Sequence, residues 1–521
     1  MHLARHAAYW ADLRGDRPAA VFHDRTLTWA ELNRQADALA ATLQSLGVEP
    51  GERVGCLLPN GLEWVVAWTA THKAGGVFVP LNPRYGDTEL REIAALTACR
   101  VIVSVAPQVA RIDPAAATGA GSADAVHLFP MQPPHGAVPF DTATQGRARP
   151  APRAGTPDDL ALITFTSGST GRPKGAMFTH RALQTVVFSM AAALRLNSED
   201  RTLLLAPFAF TGGLICVYLP TFVLGSCIHI EETLDAERAL ATIERERITV
   251  MTGVPILWER MAASPRFAAA DLTSLRVAST GGAPVPAVLL EAYVHKGIGI
   301  VQTYGCTEAG GYITIPATAD GRAKPWTCGT PLLSIELQVV DAQGRPCATD
   351  ETGEILLRGE QMFAGYWRDP ESTTAAWRDG WYHTGDLGQR DAQGHLRITD
   401  RKKNMIISGG VNVYPAEVER ILATLPGVDE VLVFGLPDPA WGERVIALVH
   451  GPRIGSCEAL MQQARQALGS YKTPKEIVLS ATPLPRTASG KVSRQGVAAL
   501  YGTLADAPRA TAERPAVQPL R

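Results

Sequence analysis

The sequence predicts an α/β protein with a large N-terminal domain of doubly wound sheets, a small β-barrel-like part, and a smaller α+β domain at the C-terminus. The chain has 521 residues, more than a single core usually supports. Short apolar strands alternate with amphipathic helices as far as residue 302, which is typical of parallel sheets. From residue 331 strands follow one another directly. We expect domains at 1–400 and 401–500, and a disordered tail at 501–521.

Composition excludes several functional classes. A formal net charge of −2 gives no electrostatic basis for binding nucleic acid. The eight cysteines include no Cys-x-x-Cys pair, so neither a zinc site nor a disulfide framework is indicated. With no secretory signal visible, these cysteines favour a cytoplasmic location. Residues 203–230 carry no Asp, Glu, Lys or Arg, but their prolines and glycines predict strand, turn, helix and strand, not a transmembrane segment.

The first elements follow a βα rhythm. Residues 20–49 predict a strand, a turn and a helix that begins after Thr28, with Glu31 at the capping-box spacing. Strands are predicted at 54–58, 77–81 and 101–105, and helices at 64–74 and 88–95. Residues 106–157 are rich in Ala, Pro and Gly, and we expect an irregular surface connection there.

Residues 160–175 predict a loop that holds polyphosphate. An apolar strand, 160–165, leads into three glycines, four hydroxyls and two cations. Glycine lets backbone N–H groups approach an anion closely, and hydroxyls and lysine add donors and charge. The spacing differs from a Walker A loop, because Pro173 precedes Lys174 and the next helix is expected only after Thr179.

The rhythm continues with strands at 202–206, 249–252, 276–279 and 298–302 and a helix at 234–246. Two of these strands are followed by glycine turns, 279–284 and 304–311, at the strand ends where doubly wound sheets bind ligands. The second turn carries Glu308, a carboxylate suited to Mg²⁺. All-β segments are predicted at 335–340 and 353–358. The C-terminal domain is predicted to contain helices 415–425 and 456–468 and strands 428–436 and 444–450.

Five segments together resemble, in order, the signatures of the adenylate-forming superfamily of acyl-CoA synthetases, luciferases and peptide-synthetase adenylation domains. These segments are 160–175, 304–311, 381–388, 400–419 and 485–494. The resemblance implies an acyl-CoA synthetase that consumes ATP and forms an acyl-adenylate. It also implies Mg²⁺ with ATP, CoA as co-substrate, and a C-terminal domain that is mobile.

The resemblance assigns residue roles. Lys491, Thr307 and Glu308 would be catalytic, Glu308 would also hold the metal, and Lys403 would be the hinge. Gly409, Gly410 and Trp441 would meet CoA. The ATP- and AMP-binding residues would be Thr166, Ser167, Gly168, Ser169, Thr170, Gly171, Lys174, Gly281, Gly282, Ala283, Tyr304, Gly305, Asp386 and Arg401.

The acyl pocket would be lined by Phe208, Phe210, Thr211, Gly212, Gly305 and Cys306. Thr211 stands where peptide-synthetase adenylation domains place an Asp for the substrate ammonium, so an amino-acid substrate is not expected. We expect an apolar acyl group, a fatty acid first, with aryl, alicyclic and steroid side-chain acids left open. Two further alternatives are luciferase-like oxygen chemistry and a non-catalytic nucleotide-binding regulator. The expected partners are ATP, the acid and CoA, and an oligomer is left open.

Overall fold

The computed structural model describes residues 2–117, 125–131, 136–146, 148–153, 155–167, 173–283, 285–408, 411–439, 441–487, 492–504 and 507–511. The chain divides into two compact units. The first is Met1–Leu337 with Leu357–Tyr382, and the second is Gln338–Leu356 with His383–Arg521. The domain boundary expected after residue 400 stays a prediction.

The helices are α1 His6–Arg14, α2 Trp29–Ser45, α3 Leu62–Ala74, α4 Asp87–Thr97, α5 Ala106–Ala110, α6 Phe140–Gln145, α7 His180–Leu194, α8 Leu219–Leu224, α9 Ala236–Glu246, α10 Pro255–Ala262, α11 Ala287–Val294, α12 Thr318–Ala323, α13 Pro370–Ala376, α14 Pro415–Leu422, α15 Cys457–Lys472 and α16 Arg494–Thr503. Two begin at predicted N-caps. Thr28 and Glu31 form the expected capping box on α2, and Thr179 caps α7.

The strands are β1 Pro18–Phe22, β2 Arg25–Thr28, β3 Arg53–Leu57, β4 Val77–Pro80, β5 Val101–Val105, β6 Val126–Pro130, β7 Val138–Pro139, β8 Leu160–Ser167, β9 Pro173–Thr179, β10 Arg201–Leu204, β11 Cys227–Ile230, β12 Val250–Gly253, β13 Val277–Gly281, β14 Val301–Thr303, β15 Thr314–Ile315, β16 Thr330–Pro331, β17 Ile335–Val340, β18 Gly353–Gly359, β19 Gly365–Tyr366, β20 Trp377–Arg378, β21 Trp381–Arg390, β22 Leu396–Arg401, β23 Ile406–Ser408, β24 Val411–Val413, β25 Glu430–Asp438, β26 Gly442–His450, β27 Glu476–Ser480 and β28 Arg509–Thr511.

The first unit contains two large sheets, as the βα rhythm predicted. One has the strand order β14-β13-β12-β10-β11-β1-β2 and is parallel except for β2 at its edge. The other has the order β19-β9-β8-β4-β3-β5-β6-β7, with parallel strands at its centre and antiparallel strands on both sides. Parallel strands covered by helices read as continuous apolar runs, which explains why the pattern identified them.

The expectation of an irregular connection at 106–157 is wrong in part. Strand β6 pairs antiparallel with β5, and α5, β7 and α6 follow in the same region. The pairing buries Leu128 and Phe129 completely. Long structureless connections are uncommon in compact domains because their backbone groups need partners. A five-residue strand between Ala- and Pro-rich stretches is too short for periodicity to reveal.

The uncharged segment 203–230 also folds as predicted. It completes β10, passes through a π-helix at Gly212–Tyr218 into α8, and ends in β11. None of the helices in the described residues combines the length and apolar character needed to cross a membrane.

The second unit has a six-stranded sheet in which β24-β23-β26-β27-β28 are neighbours in that order, and β25 also pairs with β26. Helices α14 and α15 pack on it around Val418, Leu422 and Leu460. Strand β28 pairs antiparallel with β27, so the tail expected at 501–521 includes the end of α16 and an edge strand as far as Thr511. Buried Ala510 packs that strand against the core, a contact that the Ala- and Pro-rich composition does not reveal.

Buried histidines predict acid sensitivity of the first unit. Burial lowers the pKa of His6 to about 4, of His72 to about 3 and of His229 to about 4. For His72 burial outweighs two backbone carbonyls, those of Trp68 and Ala161, at its ring nitrogens. The unfolded chain takes up these protons near pH 6.5 and the folded chain does not, so stability falls as pH drops from about 6.5 towards 4.

We therefore expect the thermal midpoint to fall on acidification from pH 7 to pH 5, with each histidine contributing up to about 1.4 kcal/mol per pH unit. His72→Gln should flatten this dependence, whereas His295→Gln, on an exposed histidine, should leave it unchanged. The measurement is the unfolding midpoint at half-unit pH steps. A midpoint that is constant or rises between pH 6.5 and 5 contradicts the prediction.

Candidate active site

The carboxyl ends of β13 and β14 bring two predicted turns together. Gly281 at the end of β13 lies beside Thr303 at the end of β14. A Cβ at Gly281 would lie 2.6 Å from the Thr303 hydroxyl oxygen, so only glycine fits. Gly282 follows in the left-handed region with φ +78°, and Ala283 continues the turn. The predicted nucleotide-binding residues 281–283 and 304–305 thus share one edge of the sheet.

The two ends of the loop after β14, at Gly305 and Gly311, lie in close contact. A Cβ at Gly305 would lie 1.4 Å from the carbonyl oxygen of Gly311, and the N–H of Gly311 donates to the Cys306 carbonyl. Gly310 and Gly311 have φ of +72° and +95°, which favour glycine. Thr307 and Glu308 lie between Gly305 and these two glycines, in a short 3₁₀ helix, Thr307–Ala309. The glycines therefore set the position of the two predicted catalytic side chains.

The predicted wall of the acyl pocket meets this loop. The hydroxyls of Thr211 and Thr307 are 3.0 Å apart and hydrogen-bonded. Gly212 begins the π-helix, a rare element that often marks functional sites. A Cβ at Gly212 would meet no atom within 4 Å, whereas one at Gly311 would lie 2.3 Å from the Cys216 sulfur. The segment therefore packs tightly against the loop at Cys216 and leaves open space at Gly212.

The two phenylalanines of this segment differ in their surroundings. Phe208 is buried, and its ring stacks on that of Trp64 with centroids 4.5 Å apart. Phe210 is half-buried and faces Tyr85 edge-on, with ring centroids 6.4 Å apart. Phe208 thus packs in the aromatic core, while Phe210 has the exposure that a pocket residue needs. Pocket roles for both, and for Cys306, stay predictions.

Asn60 holds the same segment from the other side. Its amide nitrogen donates to the carbonyls of Ala206 and Glu231, at 3.0 and 2.9 Å, and its amide oxygen accepts from the N–H of Phe208 at 2.9 Å. Asn60 is buried, so these bonds are costly to break. Asn60 is not among the predicted site residues, because no local pattern in the sequence reveals a partner 148 residues away.

Glu308 is held by a residue that the sequence did not single out. The hydroxyl of Tyr366 donates to Oε1 of Glu308 at 2.8 Å. Burial and the adjacent Glu308 carboxylate raise the pKa of Tyr366, so this hydroxyl keeps its proton. The N–H of Phe363 donates to the Glu308 carbonyl at 2.8 Å, and the side-chain amide of Gln361 donates to the carbonyls of Ala309 and Tyr312, both at 2.7 Å.

The flanks of the predicted phosphate loop are an antiparallel pair. Strand β8 ends at Ser167 and β9 begins at Pro173, and Thr166 lies opposite Lys174. The ammonium of Lys174 lies 5.1 Å from the centre of the Tyr366 ring, a cation–π contact. Of the predicted phosphate-binding residues, Gly168, Ser169, Thr170 and Gly171 lie outside the described residues.

In the second unit, Asp386 and Arg401 face each other across β21 and β22. Nε of Arg401 lies 3.0 Å from Oδ1 of Asp386, which is buried. The structure thus brings together two of the residues predicted to bind ATP or AMP. Lys403 follows in a 3₁₀ helix, Lys402–Asn404. Burial and the nearby guanidinium of Arg401 lower the pKa of Lys403.

Trp441, a predicted CoA contact, forms a cation–π contact with Lys475. Nζ of Lys475 is 4.3 Å from the centre of the Trp441 ring, and burial lowers the pKa of this ammonium. The other residues predicted for CoA, Gly409 and Gly410, lie outside the described residues, and so does the predicted catalytic Lys491.

Comparison with known proteins agrees with the signatures. The family profile of AMP-binding enzymes matches residues 7–367, and the profile of the C-terminal domain of AMP-binding enzymes matches residues 417–491. The chain is similar to ATP-bound MatB from Rhodopseudomonas palustris, with TM-score 0.85 and 30% identity over 97% of this chain and 100% of that one.

Three curated relatives cover most of the chain. Feruloyl-CoA synthase of an Amycolatopsis species is 38% identical over 93% of this chain and 96% of its own. A 3-[(3aS,4S,7aS)-7a-methyl-1,5-dioxo-octahydro-1H-inden-4-yl]propanoyl:CoA ligase of Mycobacterium tuberculosis is 39% identical over 92% and 95%. A long-chain-fatty-acid–CoA ligase of M. tuberculosis is 33% identical over 90% and 92%. The chain therefore belongs to the adenylate-forming superfamily of AMP-binding enzymes, as an acyl-CoA ligase.

Proposed function

We propose that this ligase activates an apolar monocarboxylic acid that carries a ring, aryl or alicyclic, and transfers it to CoA. The observation that carries the substrate class is the wall segment 206–218, which contains no charged side chain and presents the half-buried Phe210 opposite Tyr85. An apolar wall favours an apolar acyl group over a second carboxylate or an ammonium. The feruloyl- and indenylpropanoyl-CoA ligases among the relatives support a ring.

A straight-chain fatty acid, the first expectation from the sequence, is the second candidate. The 33% identical long-chain-fatty-acid–CoA ligase favours it, and so does the same uncharged wall. Both candidates share one reaction: the carboxylate attacks the α-phosphorus of ATP, pyrophosphate leaves, and the acyl group then passes from AMP to the thiol of CoA.

The residues fit Mg²⁺ bound with ATP. Glu308 offers a carboxylate whose Oε1 is fixed by Tyr366, and Mg²⁺ usually takes one or two protein carboxylates and completes its shell with phosphates and water. We propose that Glu308 holds this ion, which when bound neutralises charge on the phosphates. Thr307 and Lys174 would then donate to the phosphates, with Gly281, Gly282 and Tyr304 against the nucleotide.

We further propose the roles that the second unit would take. Asp386 would accept hydrogen bonds from the ribose hydroxyls. Its ion pair with Arg401 would fix the orientation of its carboxylate. Lys491 would supply positive charge to adenylation, Lys403 would be the hinge, and Trp441 would meet CoA. The reaction needs charge neutralisation more than a general base, because the attacking carboxylate is already an anion.

An acid panel tests the substrate class. Steady-state AMP release would be measured with CoA for aryl- and cycloalkyl-propanoic acids, cinnamic acids and straight-chain acids of matched carbon number. We expect kcat/KM to be at least about tenfold higher for the ring-bearing acids, since a pocket shaped for a ring gains about 1–3 kcal/mol over a mismatched group. Higher values throughout for straight chains would select the second candidate instead.

A further inference from the structure

We propose that Tyr366 is a positioning residue for adenylation, whose hydroxyl fixes the Glu308 carboxylate in the orientation that binds the metal of Mg·ATP. This inference rests on the metal-holding role proposed above for Glu308. It adds to the site a residue that belongs to none of the five signatures and lies 58 residues from Glu308 along the chain.

The hydrogen bond between the two side chains has an ordinary length and is part-buried. Tyr366 Oη donates to Oε1 of Glu308 at 2.8 Å, and Tyr366 itself is only 8% exposed. A hydrogen bond to a carboxylate is stronger than one between neutral groups, so it restricts the rotation of the Glu308 carboxylate. With Oε1 engaged, the Glu308 side chain is ordered before the ligand arrives, which reduces the entropy cost of binding.

Tyr366 also links Glu308 to the phosphate loop. It forms strand β19, which pairs with β9 so that Tyr366 lies opposite Ala176. The N–H of Trp367 donates to the Gly175 carbonyl at 2.7 Å. Lys174 rests against the ring of the same tyrosine. One side chain therefore contacts both the proposed metal-holding carboxylate and a cation of the strand that leaves the phosphate loop.

A purely structural tyrosine would behave differently, and the chain offers one for comparison. Tyr293 is fully buried in the first unit, and its hydroxyl donates to the carbonyl of Trp258, also at 2.8 Å. Tyr293→Phe removes an equally long bond to a neutral acceptor. Tyr366→Phe removes the bond to Glu308 while it keeps the ring that Phe363 and Lys174 contact.

The test measures binding of Mn²⁺ together with a non-hydrolysable ATP analogue by electron paramagnetic resonance, with full-length protein. We expect Tyr366→Phe to weaken Mn²⁺ binding about tenfold, in line with loss of a hydrogen bond to a charged group. The Mg²⁺ concentration for half-maximal acid-dependent ATP–pyrophosphate exchange should rise by the same factor. Tyr293→Phe should change neither quantity, and thiol transfer from supplied acyl-adenylate by Tyr366→Phe should stay within about twofold of wild type.

A double-mutant cycle with Glu308→Gln separates this inference from the role that it rests on. If Tyr366 acts through Glu308, adding Tyr366→Phe to Glu308→Gln should cause no further loss of Mn²⁺ binding. Independent, additive losses would overturn the inference, as would equal loss of both half-reactions in Tyr366→Phe. Unchanged Mn²⁺ binding in Tyr366→Phe but weakened binding in Glu308→Gln would overturn the inference alone. Unchanged Mn²⁺ binding in Glu308→Gln would overturn the proposed metal-holding role of Glu308, and with it the inference that rests on that role.

Discussion

Lys491→Ala should lose acyl-adenylate formation by about 10²–10³-fold or more, the range seen when one preorganised donor to a developing charge is removed. The same variant should still transfer the acyl group from supplied acyl-adenylate to CoA at close to the wild-type rate. The reason is that Lys491 is proposed to neutralise charge at the α-phosphate and the departing pyrophosphate in the first half-reaction. In the second, the thiol attacks the acyl carbonyl and AMP leaves, a step in which no role is proposed for Lys491. Acid-dependent ATP–pyrophosphate exchange measures the first step, and thioester formation measures the second.

The matched control for this variant is Lys402→Ala. Lys402 is an exposed lysine of the second unit, and its ammonium lies 3.0 Å from a Glu354 carboxylate oxygen. An exposed ion pair contributes little, so this variant should keep both half-reactions. Equal loss of the two half-reactions in a folded Lys491→Ala protein would contradict the proposal that Lys491 acts in adenylation and not in thiol transfer.

Gly305→Ala should disable both half-reactions. A Cβ at this position would lie 1.4 Å from the Gly311 carbonyl oxygen, so the loop must move. It carries Glu308, proposed for adenylation, and also residues 304–306, predicted to contact the nucleotide and the acyl group, which are present in both half-reactions. A displacement near 1 Å at a catalytic group costs about 10²-fold in rate. Overpacking adds a loss of about 1–3 kcal/mol in stability. Rates of both half-reactions and the thermal midpoint would be measured on the same preparation.

The control for this substitution is Gly86→Ala. Gly86 precedes α4 in an extended conformation, φ −65°, and a Cβ there would meet no atom within 4 Å. It should leave both half-reactions and the midpoint unchanged. A Gly305→Ala protein with wild-type adenylation would show that the loop relaxes without moving Glu308, and that Gly305 does not set the position of this carboxylate.

The parts of the site that the sequence predicted are those encoded locally. The glycine turns at the ends of β13 and β14 follow from short apolar strands that lead into Gly-rich segments. In the fold, the capping box of Thr28 and Glu31 is likewise recognisable from four consecutive residues. Such signals depend on neighbours along the chain, which a sequence shows directly.

The supporting contacts could not be predicted, because their partners lie far apart. Neither Asn60 nor Tyr366 is among the predicted site residues, yet each hydrogen-bonds a segment of the site. Strands β6 and β28 were missed for a related reason. They are short, and their stability comes from pairing with a neighbour and from a few buried side chains, not from a periodic pattern of their own.

Central to the proposed mechanism is that the carboxylate itself attacks ATP to form an acyl-adenylate before CoA reacts. An acid labelled with ¹⁸O in both carboxylate oxygens tests this directly, with AMP recovered after one turnover and its mass measured by mass spectrometry. We expect one ¹⁸O in AMP and none in pyrophosphate, since the bridging oxygen leaves with AMP when the thiol attacks. Unlabelled AMP, with the label in a phosphate product or retained entirely by the acyl group, would contradict this mechanism.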